Sequence, residues 1–190
     1  MDIRCFIAVN LHDETRKALG SVMTELKKAG ADVKWVPVDN IHLTMKFLGN
    51  TDASLIPEIT ESLSKKLSHY NAFYITIAGV GCFPSERRPK VIWVGIEDVA
   101  VLQDIQKDID AVMVKFGYAP EERPFSPHLT VGRVRSLKMV PGLMNRFEDF
   151  RKFDLGRVEV SEVYIMKSEL KPAGAEYTSL GRIPLGNREE

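Results

Sequence analysis

One short string occurs twice and limits the folds open to this chain. Residues 41–50 read IHLTMKFLGN and residues 127–134 read PHLTVGRV, so His-Leu-Thr recurs with its histidines 86 residues apart (128 − 42). Each copy lies in a short run of residues that suit a strand. Side chains alternate along a strand, so residues two apart share a face. In the first copy His42, Thr44 and Lys46 fall on one face, and Leu43, Met45 and Phe47 on the other. In the second, His128, Thr130 and Gly132 oppose Leu129 and Val131. Each strand then buries one side and offers an imidazole and a hydroxyl on the other.

The surroundings of the string repeat as well. A strand-like run, IRCFIAV (3–9), precedes Asp13, a candidate helix cap. Leu19, Val22, Met23 and Leu26 follow at helical spacing, with Gly30 as the stop. Downstream, VIWVGI (91–96) precedes Asp98 as cap, and Leu102, Ile105, Ile109, Val112, Met113 and Phe116 run to Gly117. The offsets agree: 88 (91 − 3), 85 (98 − 13) and 86 for the histidines. Between the units lie a short extended piece at 33–37 and a helix carrying Leu55, Ile59, Leu63 and Leu67. That helix starts from Thr51 or Asp52 and holds Pro57 in its first turn. A strand is expected at 73–80, a short helix around 139–149, and two strands near 158–168 and 176–183. Strand, helix and His-Leu-Thr strand, taken twice, predict an α+β fold of two pseudo-symmetric lobes. No Gly- or Ser-rich linker separates them, so residues 1–190 are expected to form one two-lobed domain.

Composition narrows the functional classes. The 26 basic residues balance 26 acidic ones, which argues against nonspecific coating of nucleic acid and leaves room for a local basic cleft. Cys5 and Cys82 are far apart and form no C-x-x-C pair; they read as reduced, packed thiols, with no disulfide required. The opening MDIRCFIAVN carries charges in its first four residues and only a short apolar run, so it is neither a signal peptide nor a membrane span. The expectation is a soluble, cytoplasmic monomer with no membrane partner.

If a pseudo-twofold axis relates the two strands, their polar faces meet, and two histidines and two threonines line one groove. Cleavage of a phosphodiester needs a base at the nucleophile and an acid at the leaving oxygen. Imidazole titrates near neutrality and serves in either role. Threonine hydroxyls can donate to the non-bridging oxygens as charge builds there. Two His with two Thr make a poor site for zinc or magnesium, so neither a metal nor a cofactor is expected. A single H-x-T is ordinarily a polar pair at a sheet edge; two at matched positions of a repeat are not so easily set aside. His12 and His69 lie beside helix ends and read as solvated or helix-terminus residues.

IHLTMKFLG and SPHLTVGRV resemble the paired H-x-T-x signatures of the two-H phosphoesterase superfamily. The closer resemblance is to its RNA 2',3'-cyclic phosphodiesterases, the LigT-like 2'-5' RNA ligases. It covers nearly the whole chain, from the opening RCFIAV through R-x-F-S-P-H to a closing Y-x-S-L. It implies two lobes, each an antiparallel sheet with helices on its outer face, around a central cleft. It implies hydrolysis of a terminal RNA 2',3'-cyclic phosphate to a 2'-phosphate, and 2'-5' joining of tRNA halves with a 5' hydroxyl as nucleophile. Carried over, His42 is the proton donor to the departing 3' oxygen, His128 the proton acceptor from water, and Thr44 and Thr130 hold the phosphate. The residues alone do not assign acid and base, because the two copies are nearly the same.

Three further residues are candidates for binding RNA. Phe125, three residues before His128, either stacks on the terminal base or plugs the edge of the core. Arg133 falls opposite His128 by strict alternation, and only a bulge at Gly132 brings it round to the phosphate. Lys46 shares the face of His42 and either contacts the RNA backbone or sits at the cleft rim. Arg87, Arg88 and Lys90 form a charged loop, either a guide for RNA or a solvated turn. Trp35, Phe83 and Tyr118 read as core or rim. Competing readings keep the site with a smaller cyclic nucleotide, an ADP-ribose cyclic phosphate or a 2'-5' oligonucleotide as substrate, or make the chain an RNA-end-binding module without turnover.

Overall fold

The two His-Leu-Thr strands lie side by side at the middle of one sheet. The computed structural model describes residues 1–172 and 174–186. Among these residues the strands are β1 (Asp2–Asn10), β2 (Val33–Trp35), β3 (His42–Asp52), β4 (Phe73–Phe83), β5 (Val91–Glu97), β6 (His128–Val134), β7 (Asp154–Val160), β8 (Glu162–Lys171) and β9 (Gly174–Pro184). The helices are α1 (Asp13–Lys27), α2 (Ile56–Leu67), α3 (Ala100–Val114) and α4 (Val140–Phe150). The sheet order is β7-β4-β5-β6-β3-β1-β8-β9, with β2 beside β6, and the pairings are antiparallel. Read outward from the middle, β3-β1-β8-β9 mirrors β6-β5-β4-β7. This is the expected α+β fold of two similar halves.

The halves touch along a short seam. β3 and β6 share the pair Leu43–Leu129, and past it β6 runs along β2, from Trp35 opposite Gly132 to Val33 opposite Val134. The helices are traded across this seam. α3, from the second repeat, lies against β3 and α2, while α1, from the first, lies against β7 and α4. The main core fills the space between the sheet and these helices. Leu19, Met23 and Leu26 of α1, Ile59, Leu63 and Leu67 of α2, Ile105, Ile109 and Met113 of α3, and Leu143 and Phe147 of α4 are buried in it. Each such side chain, fully buried, stabilises the fold by about 1.5–3 kcal/mol before entropy is counted.

Helix ends follow the pattern in outline. Gly30 (φ 66°) and Gly117 (φ 85°) adopt the left-handed backbone that stops α1 and α3. The caps differ from expectation. His12 is the cap residue of α1, and Asp13 is already helical, where its charge suits the first turn. Asp98 does not cap α3 either: Val99 stands there, and the Asp98 carboxylate accepts from the Thr76 hydroxyl at 2.8 Å. Asp52 accepts from the Ser54 amide at 3.0 Å, and Pro57 sits in the first turn of α2 as expected. The run expected as one strand near 158–168 is two, since β7 pairs with β4 while β8 pairs with β1 on the far side of the sheet. Cys5 and Cys82 are free thiols. Among the described residues no helix is long and apolar enough to cross a membrane.

Both His-Leu-Thr strands break alternation at the same place. Ala8 pairs with Thr44 and the next residue of β1, Ile7, with Lys46, so Met45 is an extra residue in β3. Trp93 pairs with Thr130 and Ile92 with Gly132, so Val131 is an extra residue in β6. Such a bulge exchanges the two faces for the residues beyond it. The expected faces after Thr44 are therefore wrong. Lys46 is turned away from His42, is 7% exposed, and pairs with Asp110 of α3 at 2.5 Å while donating to the Ala119 carbonyl at 2.9 Å. Phe47, expected in the core, is 70% exposed. Asp110 also accepts from Gln106 at 2.9 Å and from the Glu121 amide at 3.2 Å. The buried pair thus pins the segment leading to His128 onto the strand that carries His42. Replacing Lys46 with Met strips Asp110 of its cation and is expected to cost about 3 kcal/mol, the low end for a broken buried pair because two donors remain. Urea denaturation measures it, and adding Asp110→Asn should recover part of the loss; an unchanged midpoint for Lys46→Met contradicts this role.

Candidate active site

The apolar pair at the seam fixes where the polar groups point. Leu43 and Leu129 are fully buried on the core side. Their neighbours in an antiparallel pair face the other way, so Thr44 stands across from His128 and His42 across from Thr130. All four are half-buried. Among the described residues neither threonine hydroxyl has a protein hydrogen-bond partner. Both remain available as donors.

The two imidazoles are held in the same way. Nδ1 of His42 lies 2.9 Å from the Asn40 carbonyl, and Nδ1 of His128 lies 2.7 Å from the Ser126 carbonyl, in each case two residues back. A carbonyl only accepts, so Nδ1 carries the hydrogen in both rings. Nε2 is then the free nitrogen: an acceptor in the neutral ring, a donor in the cation. Asn40 is itself fixed, donating through its side chain to the Ala175 carbonyl of β9 at 2.7 Å.

Their packing differs. Phe6 of β1 stacks on His42 at 4.6 Å between centroids, and Tyr177 of β9 meets it edge-on at 5.1 Å. Phe6, Ala8 and Met166 form a small apolar cluster of their own, joined by Tyr164 and Tyr177. Burial here pushes the His42 imidazole below its ordinary value; the Asn40 carbonyl opposes the shift and the positive charge of Arg16 adds to it. His128 instead meets Phe83 edge-on at 5.1 Å, and Phe83 lies 5.4 Å from Trp93. Phe6, Tyr177, Asn40 and Phe83 escaped the sequence reading of the site. Alternation along β1 does set Phe6 and Ala8 apart from Cys5, Ile7 and Val9, but nothing local says that β1 lies beside β3.

The remaining candidates divide. The extra residue Val131 supplies the bulge that Arg133 needs: Arg133 is exposed and lies on the face of His128 and Thr130. Lys46 leaves the site, as described above. Phe125 is half-buried and packs against the main core. Arg87, Arg88 and Lys90 are exposed on the loop between β4 and β5. His12 and His69 are exposed at helix ends, and the His69 ring lies tilted against Tyr70, 4.1 Å between centroids. A depression of about 670 Å³ bounded by Asn71, Glu159, Glu162 and Arg182 contains none of the candidate residues. The candidate chemistry lies at the seam.

A family model of the 2'-5' RNA ligase superfamily matches residues 12–172. The chain belongs to that superfamily. Among relatives of this 2'-5' RNA ligase superfamily chain, an RNA 2',3'-cyclic phosphodiesterase of Methanothermobacter thermautotrophicus is 37% identical over 95% of this chain and 97% of its own. One of the same name from Thermotoga maritima is 32% identical over 94% of this chain and 93% of its own. A Thermus thermophilus protein of solved structure superimposes with a TM-score of 0.79 at 26% identity, over 96% of this chain and 98% of its own. Apo E. coli LigT superimposes with a TM-score of 0.77 at 22% identity, over 98% of this chain and 99% of its own, which speaks to the fold.

The packing of His42 generates a titration. Because its pKa is lowered, the neutral ring persists below pH 6.5, and the fold gains stability above that pH that is lost as pH falls through the lowered value. In NMR, the His42 Cε1–H is expected to titrate below 6.5, to move up in Tyr177→Ala, and to move up when inorganic phosphate is added. A midpoint that ignores both changes contradicts the assigned burial.

Proposed function

We propose that the chain hydrolyses terminal RNA 2',3'-cyclic phosphates to 2'-phosphomonoesters by metal-independent, paired-histidine catalysis. The observation that carries this reading is the matched pair of imidazoles. Both have Nδ1 tied to a carbonyl and Nε2 free, on one face with two unpartnered threonine hydroxyls. The relatives named as RNA 2',3'-cyclic phosphodiesterases, aligned over nearly the whole chain, support the substrate class.

In this reaction Nε2 of His128 accepts a proton from water as its oxygen attacks phosphorus. The bond from phosphorus to the 3' oxygen breaks, and Nε2–H of His42 protonates that oxygen. Thr44 and Thr130 donate to the non-bridging oxygens, whose charge grows towards the transition state. Arg133 adds a positive charge on the His128 side. The direction, donor at His42 and acceptor at His128, follows the family resemblance. Burial of His42 favours its neutral ring in the free protein, the reverse of what donation needs. A phosphate anion between the imidazoles favours the imidazolium, so the substrate itself charges the donor.

The same reading gives the partner and the setting. The substrate is an RNA end, tRNA halves included, and a 5' hydroxyl in place of water joins two ends through a 2'-5' linkage. The chain acts as one two-lobed domain, a cytoplasmic monomer without a cofactor; its free thiols, Cys5 and Cys82, suit a reducing compartment.

Single-turnover hydrolysis of an oligoribonucleotide ending in a 2',3'-cyclic phosphate tests the proposal. His42→Ala and His128→Ala should each lower the rate by roughly two to four orders of magnitude. The wild-type profile should be bell-shaped in pH and indifferent to EDTA. Near-normal turnover in both single variants contradicts it.

A further inference from the structure

Lys34 is the direct cross-strand partner of Arg133, where β2 runs beside β6. Val33 and Trp35, on either side of it, pack against the main core. Lys34 therefore points to the other face, the one that carries Thr130 and Arg133. Both cations are exposed, and among the described residues neither makes an ion pair. Like charges set directly opposite each other destabilise a sheet. Lys90 adds to the same end of β6: it is exposed, makes no ion pair among the described residues, and its carbonyl accepts from the Val134 amide at 2.9 Å. Glu86, the acid of the same loop, is taken up by Arg151 at 2.9 Å. In a chain of zero net charge, this end of the sheet is left positive.

The first half has no such pair. The residues equivalent to Arg133 and Lys34 are Phe47 (133 − 86) and Pro120 (34 + 86), and neither is charged. The four central groups are matched, but the surface beyond them is not.

In-line displacement gives this difference a direction, because the nucleophile attacks phosphorus opposite the oxygen that leaves. In the proposed reaction His42 serves the leaving 3' oxygen, so the ribose of the cyclic end lies on the β3 side. His128 serves the nucleophile, which enters from the β6 side. Arg133 lies two pair positions past Thr130 on that side, about 7 Å at the rise of a strand. Water as nucleophile brings no charge there. A strand that attacks through its 5' hydroxyl brings a phosphate, the one on the 3' side of its first ribose.

Resting on the cyclic phosphodiesterase reading, we propose that Lys34 and Arg133 hold the first phosphate of an RNA strand that supplies a 5' hydroxyl, and so form the acceptor-strand site for 2'-5' joining. The 5' hydroxyl gives its proton to Nε2 of His128 as its oxygen bonds to phosphorus. The bond from phosphorus to the 3' oxygen breaks, and that oxygen takes the proton from Nε2 of His42. The product is a 2'-5' phosphodiester beside a free 3' hydroxyl, and no co-reactant is consumed. Two cations at a backbone phosphate recognise charge, so the acceptor class is any RNA strand with a 5' hydroxyl and a phosphate after its first nucleoside.

The ratio of joined to hydrolysed product from one cyclic-ended oligoribonucleotide, with a 5'-hydroxyl oligoribonucleotide present below saturation, tests the site. Lys34→Ala should lower this ratio about fivefold, the range of an exposed charge contact, with hydrolysis within about twofold of wild type. An acceptor with a neutral methylphosphonate at its first linkage should lose the same factor with the wild-type protein and nothing further with Lys34→Ala. The slope of log joining rate against log salt should become shallower by about 0.7 in Lys34→Ala, the share of one contact to a single strand. An unchanged ratio in Lys34→Ala overturns the proposal. So does an equal fall in joining and hydrolysis, which would assign Lys34 to the backbone of the cyclic-ended strand. Fluorescence anisotropy of the 5'-hydroxyl strand separates the two readings. A wild-type protein that binds this strand through Lys34 and its first phosphate, yet cleaves no cyclic phosphate, refutes the phosphodiesterase reading and leaves the site standing. A protein that hydrolyses the cyclic end but neither joins nor binds the acceptor overturns the site alone.

Discussion

Two buried leucines decide the character of this molecule. Leu43 and Leu129 meet at the seam between two half-sheets, fully removed from water. A strand presents alternate residues to opposite sides, so burying this pair forces the residues before and after it to the other side. Those are His42, Thr44, His128 and Thr130. The apolar contact that joins the halves is thus also the device that brings four polar groups together. A slip of one residue at the seam would bury all four and expose both leucines.

What lies just past the seam depends on a second device, used twice. An extra residue after each threonine reverses the faces. This places Lys46 against Asp110 on the core side and Gly132 beside β2, where an added Cβ would come within 2.7 Å of Val33. On the groove side it exposes Phe47 and Arg133. The duplicated bulge therefore sorts residues alike in both halves: small or paired residues go inward, and a ring and a guanidinium go outward.

Much of this was legible in the chain. The duplicated His-Leu-Thr string, the apolar helical spacing and the glycine stops carry their own local physics, and the fold follows their order. The four polar residues of the site were legible because two copies of one pattern imply a shared axis. The rest depended on contacts that local pattern does not encode. A bulge leaves no mark in HLTMKF, whose hydrophobic alternation is compatible with a flat strand, so Lys46 and Phe47 were assigned to each other's faces. Arg133 was the exception, since its misfit with alternation pointed to a bulge at Gly132. The break at Ser161 is marked only by a shift of phase, from Val158 and Val160 to Val163 and Ile165, and nothing local says that β7 and β8 join opposite halves of the sheet. Phe6 and Tyr177 reach His42 from strands that are distant in sequence.

The two imidazoles share a tautomer and differ in surroundings. His42 is wedged between Phe6 and Tyr177; His128 has Phe83 at its edge. In the proposed reaction His42 delivers its proton to the 3' oxygen while His128 activates the attacking water. The most direct test is the identity of the product from an RNA ending in a 2',3'-cyclic phosphate, read by phosphorus NMR. A 2'-phosphomonoester with a free 3' hydroxyl is expected, and a 3'-phosphomonoester would contradict the proposed direction.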